Sequence, residues 1–196
     1  MKIIGITGGV GSGKSLILDY FQQKYGAKVI IADQVSHKLM EPGTRGYYEI
    51  IEFFGSGILN SDMTINREKL GKIVFGDKEK LDRLNGIMHP LVKEFIAEEI
   101  RSERASGKDR MVIIEAALLI EEHYEVLCDE LWYIYSDEET RRARLKASRG
   151  YSEEKISNIF LNQCSEEMFR QHCQVVIDNS RTVEETYRQI DEKCRR

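Results

Sequence analysis

Eight consecutive residues concentrate the chemistry of this 196-residue chain. Gly8-Gly9-Val10-Gly11-Ser12-Gly13-Lys14-Ser15 has the spacing G-x-x-x-x-G-K-[ST] and takes four of the chain's fifteen glycines. Such a composition lets successive backbone N–H groups turn inward around anionic oxygens, an approach that side chains would obstruct. The helix that follows directs its positive end at the same anion. Lys14 brings a cation to the outer phosphates of a nucleotide, and the Ser15 hydroxyl suits Mg²⁺. The expected nucleotide-binding stretch is therefore Gly9, Val10, Gly11, Ser12, Gly13, Lys14, Ser15 and Leu16. The plainer alternative is a glycine-rich turn ahead of a helix. A buried strand before the loop and an amphipathic helix after it favour phosphate binding.

Carboxylates and cations elsewhere are candidates of lower specificity. Asp33 closes the apolar run Val29-Ile30-Ile31-Ala32. At the carboxyl edge of a parallel sheet it can accept a proton from an alcohol. As an N-cap of a helix starting at Gln34 it would serve structure only. Glu115 ends Val112-Ile113-Ile114, where an acid steadies a metal or its waters, or else caps a helix. Arg141-Arg142-Ala143-Arg144 is the densest cationic cluster. It is either a solvated helix face or a set of donor forks for phosphate.

The elements that must position these groups follow from the apolar pattern. Ile3 to Thr7, Val29 to Ala32, Met111 to Ile114, Leu131 to Tyr135 and Val175 to Ile177 are short apolar runs. They suit strands buried on both faces, alternating with helices. Right-handed crossovers then imply an α/β P-loop NTPase fold: a mostly parallel five-stranded sheet with helices on both faces. Residues 1–35, 108–137 and 173–196 form the expected nucleotide-binding core of this single domain. Residues 36–107 form an inserted helical lobe, and 138–172 a polar helical lid. Within the lobe, Leu81, Leu84, Ile87, Met88, Leu91, Val92, Phe95, Ile96 and Ile100 recur at helical spacing. Pro90 is expected to end or kink that helix near His89. Tyr47, Tyr48, Phe53, Phe54 and Phe75 read mostly as lobe core.

Composition narrows the function classes. Apolar residues make up 41% and charged residues 32% of the chain, with two prolines, which excludes disorder. The formal charge of −4 argues against a broad nucleic-acid interface. No signal peptide or membrane-spanning run is expected, and the chain reads as cytoplasmic. Cys128, Cys164, Cys173 and Cys194 contain no CxxC pair, so idle or buried thiols are expected rather than a zinc or redox site.

A GTPase would carry N-K-x-D after a later strand, and the chain has none. The sequence resembles the dephospho-coenzyme A kinase family nearly end to end. The resemblance rests on the glycine loop, Ala32-Asp33, Glu41-Pro42-Gly43, Asn66-Arg67, Val74-Phe75 and His89-Pro90-Leu91. It continues through Leu118-Leu119-Ile120-Glu121, Arg144-Leu145, Gln163 and Val176-Ile177-Asp178-Asn179-Ser180. By that resemblance the chain transfers the ATP γ-phosphoryl group to the 3′-hydroxyl of dephospho-coenzyme A, with Mg²⁺. Asp33 is then the general base, and Lys14 and Arg144 stabilise the transferred charge. The resemblance places His89 and Arg67 on the acceptor and Asn179 near adenine. A structural histidine, an ion-paired arginine and a turn asparagine are the alternatives. A lid bearing the arginines near 141–165 is expected to close only when both substrates are bound.

The chain departs from the family pattern at four places. Ile31 replaces the first acid of Asp-Ala-Asp, Leu16 follows Ser15 where threonine is usual, and Ala117 replaces proline. The lid arginine four residues after Arg144 is displaced: Ser148 takes its place and Arg149 follows. One helical position is about 100° of rotation. A nucleoside or nucleotide kinase, or a nucleotide-binding regulatory ATPase, is the competing function. The expected partners are the two small substrates, with no nucleic acid, no membrane and no obligate protein partner.

Overall fold

A computed structural model describes residues 1–108 and 110–195; Asp109 and Arg196, which fall in the expected core segments, lie outside the described residues. The described residues contain five strands. They are β1 (Ile3–Thr7), β2 (Lys28–Ile31), β3 (Val112–Glu115), β4 (Glu130–Tyr135) and β5 (Val175–Asp178). The sheet is all-parallel, as expected, in the order β2-β3-β1-β4-β5. Ile6 of β1 stands opposite both Glu115 of β3 and Trp132 of β4, and Tyr135 opposite Asp178 of β5. The carboxyl ends of these strands therefore share one edge of the sheet.

Both faces of the sheet are covered. Trp132 and Tyr133 are successive strand residues and so point to opposite faces. Trp132 meets Phe21 of α1 (Lys14–Tyr25) edge-on at 5.6 Å between ring centroids. Tyr133 stacks on Phe169 of α8 (Glu166–His172) at 4.7 Å. On the α1 side, Tyr20 stacks on Tyr187 of α9 (Val183–Cys194) at 3.7 Å. Asp191 of α9 accepts bonds from Tyr20 Oη at 2.8 Å, Tyr25 Oη at 2.7 Å and Lys24 Nζ at 2.5 Å. Those donors hold its carboxyl down at about 2.

The chain divides into two compact units, residues 1–30 with 108–196 and residues 31–107. The second unit contains α2 (Ala32–Leu39), α3 (Arg45–Phe54), α4 (Arg67–Phe75) and α5 (Lys78–Ala105). The long α5 buries Ile87, Met88, Leu91, Val92, Ile96 and Ile100 and packs on α2, α3 and α4. The expected break at His89 does not occur, because α5 runs through Pro90. Proline removes one bond to the carbonyl four residues back. That partner, Gly86, and Pro90 itself are both exposed, so the defect faces solvent while the buried stripe stays continuous.

The polar stretch 138–172 lies in the first unit and is three helices. They are α6 (Glu138–Arg149), α7 (Glu153–Leu161) and α8. Gly150, left-handed at φ 61°, ends α6. Asp137, Ser152 and Ser165 each accept the backbone N–H three residues on, which starts one helix apiece. No helix among the described residues is long and apolar enough to cross a membrane.

Candidate functional site

The glycine loop joins the end of β1 to the start of α1. Its last glycine, Gly13, caps the helix in the left-handed region at φ 86°. A Cβ there would run into Nδ2 of Asn179, so two constraints demand glycine at once. At Gly9 a Cβ would strike the Arg141 guanidinium. No side chain caps α1 and its first turn carries no acid. The positive end of that helix is therefore left for an exogenous anion.

The loop's donors fall into two sets. Ser12 N–H bonds to Gly9 O at 3.1 Å and Leu16 N–H to Gly13 O at 3.2 Å, which holds the turn. Val10 N–H is given to Gln163 Oε1 at 3.0 Å. The N–H groups of Gly11, Gly13 and Ser15 take no acceptor among the described residues. The buried Ser12 hydroxyl also lacks a hydrogen-bond partner. The buried Thr7 hydroxyl at the end of β1 is in the same position, and buried polar groups without partners are uncommon.

Lys14 Nζ donates to Gly8 O at 2.8 Å and lies 3.6 Å from Glu115 Oε1. Both side chains are largely buried, at 17% and 12% exposure. The ammonium is thus held over the loop by a carboxylate from the neighbouring strand. The Ser15 hydroxyl, one residue on, is exposed.

Two arginines of α6 grip the loop from behind. Arg144 donates from Nη2 to Asn179 O at 2.9 Å, and from Nη1 to Ser136 Oγ at 3.2 Å and Ser12 O at 3.4 Å. Arg141 donates from Nε to Val10 O at 2.9 Å and from Nη2 to Gln163 Oε1 at 2.8 Å. Burial pushes the Arg141 pKa down. The arginine segment expected to serve as a lid thus lies against the loop in this structure. Arg149 instead lies 5.8 Å from the Tyr151 ring at the far end of α6. The displaced position is filled by Ser148, whose hydroxyl donates to Arg144 O at 2.7 Å.

Asn179, the expected adenine contact, lies beside the glycine loop. It is 1% exposed. Its Nδ2 donates to Ser12 O at 2.8 Å and its Oδ1 accepts from Thr186 Oγ1 at 2.9 Å. Each end of the amide thus has a partner in bracing the loop against α9. Gln163 and Arg141, by contrast, are loop contacts that reading the residues did not single out. The only signals were the place of Gln163 in the family pattern and of Arg141 in the cationic cluster.

Three further candidates belong to the second unit. Asp33 lies two residues beyond β2, exposed in the first turn of α2. That helix begins at Ala32 with Ile31 as its N-cap and no side-chain cap bond. Asp33 is therefore not the cap of a helix starting at Gln34, and its charge merely favours the helix dipole. Arg67 is the exposed first residue of α4, and His89 is half-buried on α5.

The cysteines are thiols. Cys173 is buried, and burial pushes it and Cys128 up to about 12. Cys164 donates to Glu121 Oε1 at 2.8 Å and is raised to about 11 by burial and that carboxylate. None has the depressed pKa of a nucleophile.

Comparison with known proteins gives a consistent picture. The family model described as dephospho-CoA kinase matches residues 2–185. The chain is 40% identical over 191 residues to a dephospho-CoA kinase of Carboxydothermus hydrogenoformans, covering 97% of this chain and 91% of that protein. It is 38% identical over 192 residues to one from Geobacter sulfurreducens, covering 98% and 96%. Among solved structures, TT1252 from Thermus thermophilus superposes with a TM-score of 0.82 at 27% identity, over 99% of this chain and 96% of that one. The dephospho-CoA kinase of Campylobacter jejuni shares the fold, with a TM-score of 0.73 at 24% identity over 100% and 96%.

Proposed function

The chain belongs to the dephospho-CoA kinase family, and from that premise we propose how its residues divide the reaction. The activity is phosphorylation of dephospho-CoA by ATP, the final step of CoA synthesis. Phosphoryl transfer asks a protein chiefly for positioning and charge neutralisation. The stretch Gly9 to Leu16 takes the triphosphate through its backbone, and Lys14 leaves Gly8 O for the outer phosphates. Asp33 accepts the proton of the 3′-hydroxyl as that oxygen attacks the γ-phosphorus. Arg67 and His89 hold the acceptor. Residues 36–107 are the acceptor lobe and 138–172 the lid, with 1–35, 108–137 and 173–196 the nucleotide core.

Arg144 serves catalysis by fixing the carbonyls of Ser12 and Asn179, and Asn179 acts through the same brace. A divalent cation such as Mg²⁺ fits the donors present: an exposed Ser15 hydroxyl and the Glu115 carboxylate. Among the described residues no three His, Cys, Asp or Glu side chains gather as a resident metal site. Phosphate oxygens and water would complete the ion's shell. Bound there, it would neutralise charge on the transferred group. Four free thiols suit a cytoplasmic setting.

The observation that carries this reading is the donor set of the loop: three backbone N–H groups without acceptors beside a lysine held ready. ADP release in a coupled assay with ATP and dephospho-CoA tests it, with nucleoside monophosphates as competing acceptors. Lys14→Ala should abolish turnover while circular dichroism stays unchanged; retained turnover overturns the assignment.

A further inference from the structure

Beside the glycine loop lies a guanidinium that, among the described residues, has no carboxylate within ion-pair distance. Arg141 rests over the Phe160 ring at 4.1 Å, and its hydrogen bonds go to two neutral oxygens, Val10 O and Gln163 Oε1. Glu138, whose charge reaches it, is itself bonded to Arg142 at 2.8 Å. A part-buried cation among neutral acceptors is an arrangement that low dielectric penalises.

One atom receives both relevant donors. Gln163 Oε1 accepts Arg141 Nη2 at 2.8 Å and Val10 N–H at 3.0 Å. A cationic donor and a loop amide converging on one oxygen form a small anion subsite. An amide oxygen fills it with a partial charge where a phosphate oxygen would bring a full one. Gln163 is tethered only lightly, through Nε2 to Ile159 O at 3.1 Å. An open, solvent-facing cavity of about 550 Å³, bordered by Val10, Glu154, Lys155, Asn158, Ile159 and Gln163, lies against it. The side chain thus has somewhere to go.

We propose that Val10 N–H and Arg141 form a subsite for a nucleotide phosphate oxygen, and that Gln163 is its built-in placeholder, displaced into the adjoining cavity when nucleotide binds. This rests on the loop being the nucleotide-phosphate site. Gln163 is a positioning residue: it keeps both donors aimed while the loop is empty, and competes with the nucleotide for them. Nucleotide affinity is accordingly lower than the loop alone would give.

Calorimetry with β,γ-methylene-ATP on the intact protein tests the competition. Binding by the parent, and its loss in Lys14→Ala, reports on the loop reading separately. Gln163→Ala removes the competitor and should bind about threefold to tenfold tighter, the range of one hydrogen bond. Gln163→Glu installs a charged competitor of the same shape and should bind at least about tenfold more weakly. Adding Arg141→Met should shrink the deficit of Gln163→Glu to about threefold or less. A merely structural glutamine would weaken binding in both variants. Unchanged or weaker binding by a folded Gln163→Ala, or parent-like binding by Gln163→Glu, overturns the proposal. Should Gln163→Ala fail to fold, the deficit of the isosteric Gln163→Glu and its shrinkage on adding Arg141→Met decide together, and a deficit that Arg141→Met leaves intact overturns the proposal.

Discussion

Single residues separate the groups proposed for phosphate from those that hold the loop in shape. Lys14 has a charged partner 3.6 Å away in Glu115, so its ammonium is poised rather than free. Arg144, by contrast, spends its donors on Ser12 O, Ser136 Oγ and Asn179 O. Arg144→Ala should therefore lower stability without any nucleotide, by about 1.5–3 kcal/mol in urea denaturation, the range for bonds to charged groups. Its kcat should fall as well. Undiminished stability would mean that the braces carry no weight. Asp33→Asn keeps the size of an exposed side chain and removes the proposed base. Its kcat should drop about 10²- to 10⁴-fold while nucleotide affinity holds, read by initial rates against calorimetry. The loop was legible residue by residue because its demands are local: a left-handed Gly13, a lysine and a hydroxyl in fixed order. The burial of Asn179 was not legible, since it depends on Ser12, 167 positions away.

Elements follow local rules until packing overrules them. Pro90 would break an isolated helix, yet α5 continues because its apolar stripe is buried against three other helices and the defect faces water. Pro90→Ala restores the bond to Gly86 O in an exposed position. It should stabilise the protein by about 1–3 kcal/mol, bounded by the propensity difference, and raise the thermal midpoint. A lower midpoint would show that α5 needs the proline. The division of 138–172 into α6, α7 and α8 was written in the chain. Asp137, Ser152 and Ser165 each precede paired glutamates, and Gly150 stands between the first two helices. Those are cap and first-turn signals. The start of α2 at Ala32 had no such signal, because Ile31 offers no capping oxygen.

The molecule as a whole is closed by contacts between segments far apart in sequence. The clearest titratable one joins α1 to α9: Asp191 takes Tyr20, Tyr25 and Lys24, and its carboxyl sits at about 2. An unfolded aspartate titrates at about 3.9. The folded value is the lower, so the contribution is complete above the unfolded value and is lost as pH falls through about 4 toward about 2. Asp191→Asn should flatten the acid limb of the stability–pH curve across that window, measured by urea midpoints; an unaltered limb would remove Asp191 from the account. By itself the sequence determined the five strands, the parallel α/β class and the phosphate loop. Each depends on residues within a few positions, through burial period or backbone conformation. The strand order β2-β3-β1-β4-β5, the passage of α5 through Pro90 and the meeting of Arg141, Gln163 and Asn179 with the loop were decided by tertiary structure. Those outcomes rest on which surfaces become buried against one another, a property that no short window of residues contains.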